Sequence, residues 1–203
     1  MKIYGIAASR AIRPLWAAEE LGLEYEHVKW HYAGQEVKSD AYLALNPNGT
    51  VPALVDGSVV MFESMAMTIY LAQTYGQGSL WPKSKTEQAH VLQWTLWAAT
   101  EVEPLARQWF HHTSFLAPEL RKPEMVDAAL QSIRSRLGVL ESWLGKCAYL
   151  AGDAFTVADL NVAAVLQRLA ALGGDAYPGT TDWHQRCTNR TAAKKAFALR
   201  NAG

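Results

Sequence analysis

Hydrophobic residues follow two spacing rules along this chain. Over roughly the first 75 positions, short apolar runs with strand character alternate with stretches of helical spacing; beyond Glu87 only helical spacing remains. "KIYGIA" is β-prone, and "AIRPLWAAEELG" after it sets Ile12, Leu15 and Ala18 on one helical stripe. Pro14 is tolerated in a first helical turn, and Gly22 fits a helix stop. "YEHVKWH" predicts a second strand and "SDAYLALNP" a short helix halted by Asn46-Pro47. "TVPALV" and "VVMF" predict two strands joined through Asp56, Gly57 and Ser58 as a hairpin. "SMAMTIYLAQTYG" then predicts a helix, with Met65, Ile69 and Ala72 on its stripe and Gly76 as its stop. The order is βαβα followed by ββα.

The pattern changes at "GQGSLWPKS", where Gly, Pro and Ser cluster. Beyond it the spacing predicts helices over Glu87–His112, Pro123–Leu144 and Val157–Ala171, with a last short one over Ala192–Leu199. "FTVADL" adds a Thr156–Asp159 capping box with Phe155 placed as its staple. The expected organisation is an α/β domain over residues 1–80, a linker over 81–86, and an all-α domain over 87–203.

Composition narrows the class. The chain has 203 residues, half of them hydrophobic, and a formal net charge of zero. That balance offers no electrostatic footprint for nucleic acid or an anionic membrane. No run approaches the roughly 20 apolar residues of a membrane span, and "MKIYGIAASRAIRPLW" lacks a secretory pattern. Cys147 and Cys187 stand far apart with no CxxC, and His111 and His112 have no metal-ligand spacing. The expectation is a cytoplasmic protein without a metal.

Chemistry concentrates in "NPNGTVPALVDGSVVMFES". A proline opening a strand in this setting suggests a cis Val51–Pro52 bond, since only X-Pro bonds make cis cheap. Such a bond leaves the N–H and C=O of Val51 available to an extended peptide. Ser64 falls at the start of the following helix, where a hydroxyl and free N–H groups suit a carboxylate. Glu63 beside it suits an ammonium group. Together these describe a site for a small peptide with an amino-acid head.

With "SRAIRPLWAAEELGLEYE", "YLALNPNGTVPAL", "FESMAMTIYLAQTYG" and "YLAGDAFTVADL" in view, nearly the whole chain resembles a cytosolic glutathione transferase. The resemblance is to the bacterial, serine-type (theta, zeta or delta-like) members rather than the cysteine-type ones. It implies a thioredoxin-like first domain, a helical second domain, a homodimer, glutathione as cosubstrate and a small electrophile as second substrate. By resemblance Val51, with Pro52, pairs with the cysteinyl backbone of glutathione, and Glu63 and Ser64 hold its γ-glutamyl end. Lys38 matches a lysine near the glycyl carboxylate, a position equally suited to solvated surface. Ser9 matches the thiol-activating serine, and Arg13 stands at the spacing of a frequent family arginine. Arg13, Trp97 and Trp109 are the candidates for the hydrophobic-substrate site, although aromatics at helical spacing commonly serve core or interface. A non-catalytic ligand-binding or protein-interaction module is the alternative on the same scaffold.

Overall fold

The computed structural model describes residues 1–201. These form two compact units, Met1–Lys83 joined by the tail from Thr188 onward, and Ser84–Cys187. The helical region expected to run to the C-terminus therefore gives up its last residues to the first unit.

In the first unit, β1 (Lys2–Tyr4), α1 (Ile12–Glu20), β2 (Glu26–Val28), α2 (Asp40–Leu43), β3 (Ala53–Asp56), β4 (Val59–Phe62) and α3 (Ser64–Tyr75) follow the expected order. The sheet order is β2-β1-β3-β4. β1 runs parallel to β2 and antiparallel to β3, and β3 antiparallel to β4. This is the thioredoxin-like βαβ–ββα arrangement. Gly57 at φ 58° makes the hairpin turn that a β-carbon would strain.

Alternation along β1 separates two cores. Ile3 is fully buried on one face. Tyr4, on the other, joins Trp30 and Val51 around buried Val37, Tyr42 and Ala53. The stripe on α3 differs from the expected one: Ser64, Met65, Met67, Thr68, Leu71 and Ala72 are buried, while Ile69 is only half-buried. α1 is buried along its whole first two turns, Ile12 to Ala18. Burial on every side needs a second cover besides α3, and the tail supplies it. In the tail helix (Thr191–Ala198), Ala193 and Ala196 are buried and the Phe197 ring packs, tilted by 57°, at 5.6 Å from that of Trp16 in α1.

The second unit begins with a helix over Lys85–Trp97, here α4. The continuous helix expected over Glu87–His112 is interrupted. A π turn over Ala98–Val102 precedes α5 (Glu103–Phe110), and a second π turn covers His111–Phe115. Pro104 lacks an N–H for the helical ladder and its ring crowds the preceding turn, so the widened turn ahead of it accommodates the misfit. α6 (Pro123–Leu144) follows as expected. α7 ends at Val165 rather than Ala171, having begun at Val157. All nine of its residues are buried, which makes it the centre of the unit. Its capping box forms, and Asp159 also accepts from Leu150 N–H and Trp183 Nε1, both at 2.9 Å. Burial raises the Asp159 pKa while these hydrogen bonds work the other way.

α8 (Pro178–Thr188) is a helix that the spacing did not predict. Its composition is polar, and its start is held from outside. Glu141 of α6 accepts from Gly179 N–H, Thr180 N–H and the Thr180 hydroxyl at 2.9, 2.7 and 2.7 Å. The tail helix is α9. No helix among the described residues is long and apolar enough to cross a membrane.

Candidate functional site

The first unit gathers its polar residues around two element ends, the loop after β1 and the start of α3. The Val51–Pro52 peptide is cis, as the sequence reading expects. Val51 lies just outside the ladder, whose first β3 pair is Ala53 with Tyr4. Its approach is set by Thr50, whose carbonyl accepts from Tyr42 Oη and Asn46 Nδ2, each at 2.7 Å. Asn46 is 1% exposed, and its Oδ1 accepts from Asn48 N–H. Neither Tyr42 nor Asn46 stood out in the sequence as a site-shaping residue, although Asn-Pro-Asn-Gly is a turn text of just this kind. Opposite lies Gly5, at φ 120°, where an added β-carbon would come within 2.8 Å of Val51 Cβ. Only glycine lets the β1 loop approach this closely.

Glu63 has φ 70° and ψ 101° at the N-cap of α3. A non-glycine residue there stores roughly 1–3 kcal/mol of backbone strain. The conformation exposes the Glu63 carboxylate while Ser64 turns inward to 3% exposure. Arg13 Nη1 donates to Ser64 Oγ at 2.9 Å. Arg13 is itself 5% exposed, which puts it with the polar residues of α3 rather than on an apolar wall. The physical cause is α1, whose second residue faces the start of α3. A guanidinium, a serine hydroxyl and the positive end of a twelve-residue helix converge on one point beside an exposed acid. That combination suits a carboxylate and a neighbouring ammonium group.

Ser9 sits in the loop before α1. Its hydroxyl donates to Ile6 O at 2.7 Å and accepts from Ala11 N–H at 3.1 Å. The accepted bond polarises the hydroxyl, making it a stronger donor to an anion. Turning the Cβ–Oγ bond frees the hydrogen from Ile6 O. Lys38 is exposed, and its Nζ donates to Gly49 O at 3.0 Å, two residues before Val51. Lys38, Val51, Pro52, Glu63, Ser64, Ser9 and Arg13 thus all belong to the first unit.

Trp97 and Trp109 belong to the second unit and are both half-buried. Trp97 lines a groove of about 220 Å³ with Trp94, Val139, Trp143 and Lys146. Trp109 is not among its walls. The structure therefore gives the two tryptophans separate surroundings.

Two family models match the chain, "Glutathione S-transferase, N-terminal domain" over residues 1–73 and "Glutathione S-transferase, C-terminal domain" over 104–191. Glutathione S-transferase GstB of Escherichia coli is 33% identical over 192 residues, 91% of each chain. Glutathione S-transferase 1 of Zea mays is 35% identical over 216 residues, 98% of this chain and 96% of that one. The structure of maize glutathione S-transferase I with an atrazine glutathione conjugate superposes with a TM-score of 0.89, covering 98% and 97% of the two chains at 34% identity. Elongation factor 1-gamma 2 of Oryza sativa matches at 32% identity over 77% of this chain, but only 37% of its own length.

Proposed function

The chain belongs to the glutathione S-transferase family, and from that premise we propose that it is a serine-type, bacterial member whose Ser9 activates the glutathione thiol. Its function is glutathione transfer to an electrophilic substrate. The observation that carries the reading is the buried Arg13–Ser64 pair at the start of α3, beside exposed Glu63. Glutathione presents a carboxylate and an ammonium group at its γ-glutamyl end, and this point answers both. Val51, next to cis Pro52, pairs with the cysteinyl backbone, and Lys38 takes the glycyl carboxylate. The chain works as a cytoplasmic homodimer, and its second substrate is a small hydrophobic electrophile. Trp97 and Trp109 are the aromatic candidates of the second unit for that substrate.

Chemistry then turns on the thiol. Unperturbed, it titrates at about 8.5, so little thiolate exists at neutral pH. Each unit of lowering takes about 1.4 kcal/mol of preferential thiolate stabilisation. One hydroxyl donor turned onto the sulfur, together with the N-terminal end of α1, is of that size. The thiolate then attacks the electrophile, and the site's remaining work is orientation.

The test compares the parent with Ser9→Ala on a chloro-dinitrobenzene across pH. Ser9→Ala should keep near-normal glutathione affinity, show a raised thiol pKa, and conjugate slowly at neutral pH. Alkaline pH should recover much of the rate, because solvent then supplies the thiolate. An unchanged profile would assign activation to another group.

A second reading, a non-catalytic binding or protein-interaction module, has the elongation-factor match on its side. Retention of the parent on immobilised glutathione without turnover of any electrophile would select it.

A further inference from the structure

The Ser9 loop is held carbonyl by carbonyl, and one hold comes from the far end of the chain. Gly5 O accepts from His27 Nε2 at 2.8 Å. Ile6 O accepts from Ser9's own N–H and hydroxyl at 3.0 and 2.7 Å. Ala7 O accepts from Arg200 Nε at 3.2 Å, across 193 residues of sequence. Ala7 is 3% exposed and Ala8 exposed, and neither side chain is able to anchor the loop by polar contact.

Arg200 is placed with care. Its guanidinium carbon lies 4.8 Å from the Phe197 ring centre. Phe197 packs on Trp16, whose Nε1 donates to Glu20 Oε1 at 3.0 Å. Arg190 closes the clamp with two hydrogen bonds of 2.7 Å to the Glu20 carboxylate. This bidentate pair, with Glu20 only 6% exposed, fixes the tail on α1. A tail that merely covered α1 would have no need to reach the loop. This one continues one turn further and ends on the carbonyl two residues before Ser9.

We infer that Arg200 is a positioning residue for thiol activation, holding the Ala7–Ser9 backbone so that the Ser9 hydroxyl is presented to the sulfur. The inference rests on the reading of Ser9 given above. Donation to a sulfur is directional, and a loop of small residues without this hold spends part of its time misaligned. The grip on the γ-glutamyl end is made elsewhere, by Glu63 and Ser64. Loss of Arg200 should therefore act on turnover and thiol pKa while sparing glutathione affinity.

The experiment uses three full-length variants: Arg200→Met, Arg200→Lys and Ser9→Ala. Methionine keeps an apolar stem over Phe197 and has no donor; lysine keeps a charged donor. Thiolate ultraviolet absorbance, glutathione KM and kcat on a chloro-dinitrobenzene are followed across pH. Arg200→Met should lower kcat at neutral pH by about tenfold, less than the roughly hundredfold that a full 1 Å misplacement costs. Glutathione KM should stay within about twofold, and the thiol pKa should rise toward that of Ser9→Ala. Arg200→Lys should recover a large part of both. A parent-like pH profile in Arg200→Met overturns the inference. So does a loss that Arg200→Lys fails to relieve and that appears in KM and melting temperature alike. If Ser9→Ala moves the profile and Arg200→Met does not, the tail inference alone fails. If Ser9→Ala leaves it unmoved, the reading of Ser9 fails first and takes the inference with it.

Discussion

Ser64 at 3% exposure already accepts a hydrogen bond from Arg13, so its own hydrogen is the part left for a ligand. If Ser64 holds the γ-glutamyl carboxylate as proposed, Ser64→Ala should remove one hydrogen bond to a charged group, costing roughly 1.5–3 kcal/mol of glutathione binding, or about 10- to 150-fold in the dissociation constant. The γ-glutamyl end does not change charge during reaction. What is lost is therefore binding common to ground and transition states, and turnover at saturating glutathione should fall far less. Calorimetric titration beside steady-state kinetics separates the two. A collapsed kcat with unchanged affinity would move Ser64 into the chemistry. Ser9 is the opposite case, with the effect expected in the pH profile rather than in affinity. On the reading proposed above, the two serines are identical in type and face different parts of glutathione.

Elements show a similar division between local text and outside support. α7 announces itself through Thr156 and Asp159, whose capping box forms as read. α8 does not, because its Thr- and His-containing text has weak helical preference. Its buried Thr180, Trp183 and Cys187 do stand at helical spacing, which is the signal available in hindsight. Glu141 makes the difference. Burial alone would push its carboxyl pKa up, but the Thr180 hydroxyl and the Gly179 and Thr180 N–H groups outweigh that and hold it below its ordinary 4.5. A carboxyl depressed in the folded state stabilises the fold above its unfolded pKa. That contribution disappears as pH falls through the lower, folded value. Glu141→Gln should thus be less stable than the parent by about 1–2 kcal/mol at neutral pH, the worth of a charge at a helix start with its hydrogen bonds. The gap should close as pH falls below the carboxyl's ordinary 4.5 and through its lower folded value. Urea unfolding at neutral and at acidic pH measures it, and a gap independent of pH would show that Glu141 acts through shape alone.

At the scale of the molecule, each unit leaves apolar side chains in solvent. Val60, Phe62 and Tyr75 are 45%, 38% and 46% exposed in the first unit. Leu92, Leu96 and Val139 are 43%, 62% and 54% exposed in the second. Large apolar side chains left this exposed are candidates for a cover, and a second copy of the chain is the cover proposed here. Light scattering at micromolar concentration should give twice the 22.4 kDa of one chain. Leu96→Asp should shift the species toward the single mass, since a carboxylate is costly to bury at an apolar interface. A parent that scatters as one chain would remove the dimer.

What the sequence determined by itself is whatever local physics suffices to specify. Strand and helix order in the first unit follow from hydrophobic period, the hairpin from Asp56-Gly57-Ser58, and the capping box from Thr156 and Asp159; the cis bond, which Val-Pro alone would not favour, is expected from the setting of the resemblance around it. Most residues of the proposed polar site sit in two short stretches of text, Ser9–Arg13 and Val51–Ser64, with Lys38 between them. Long-range contact decided the rest. Arg13 meets Ser64 across 51 residues, Glu141 caps α8 across 38, and Arg200 reaches Ala7 across 193. No periodicity in a single chain encodes which distant partner a guanidinium or a carboxylate will meet. The folded packing of α1 against both α3 and α9 is what brings Arg13 to Ser64 and Arg200 to Ala7.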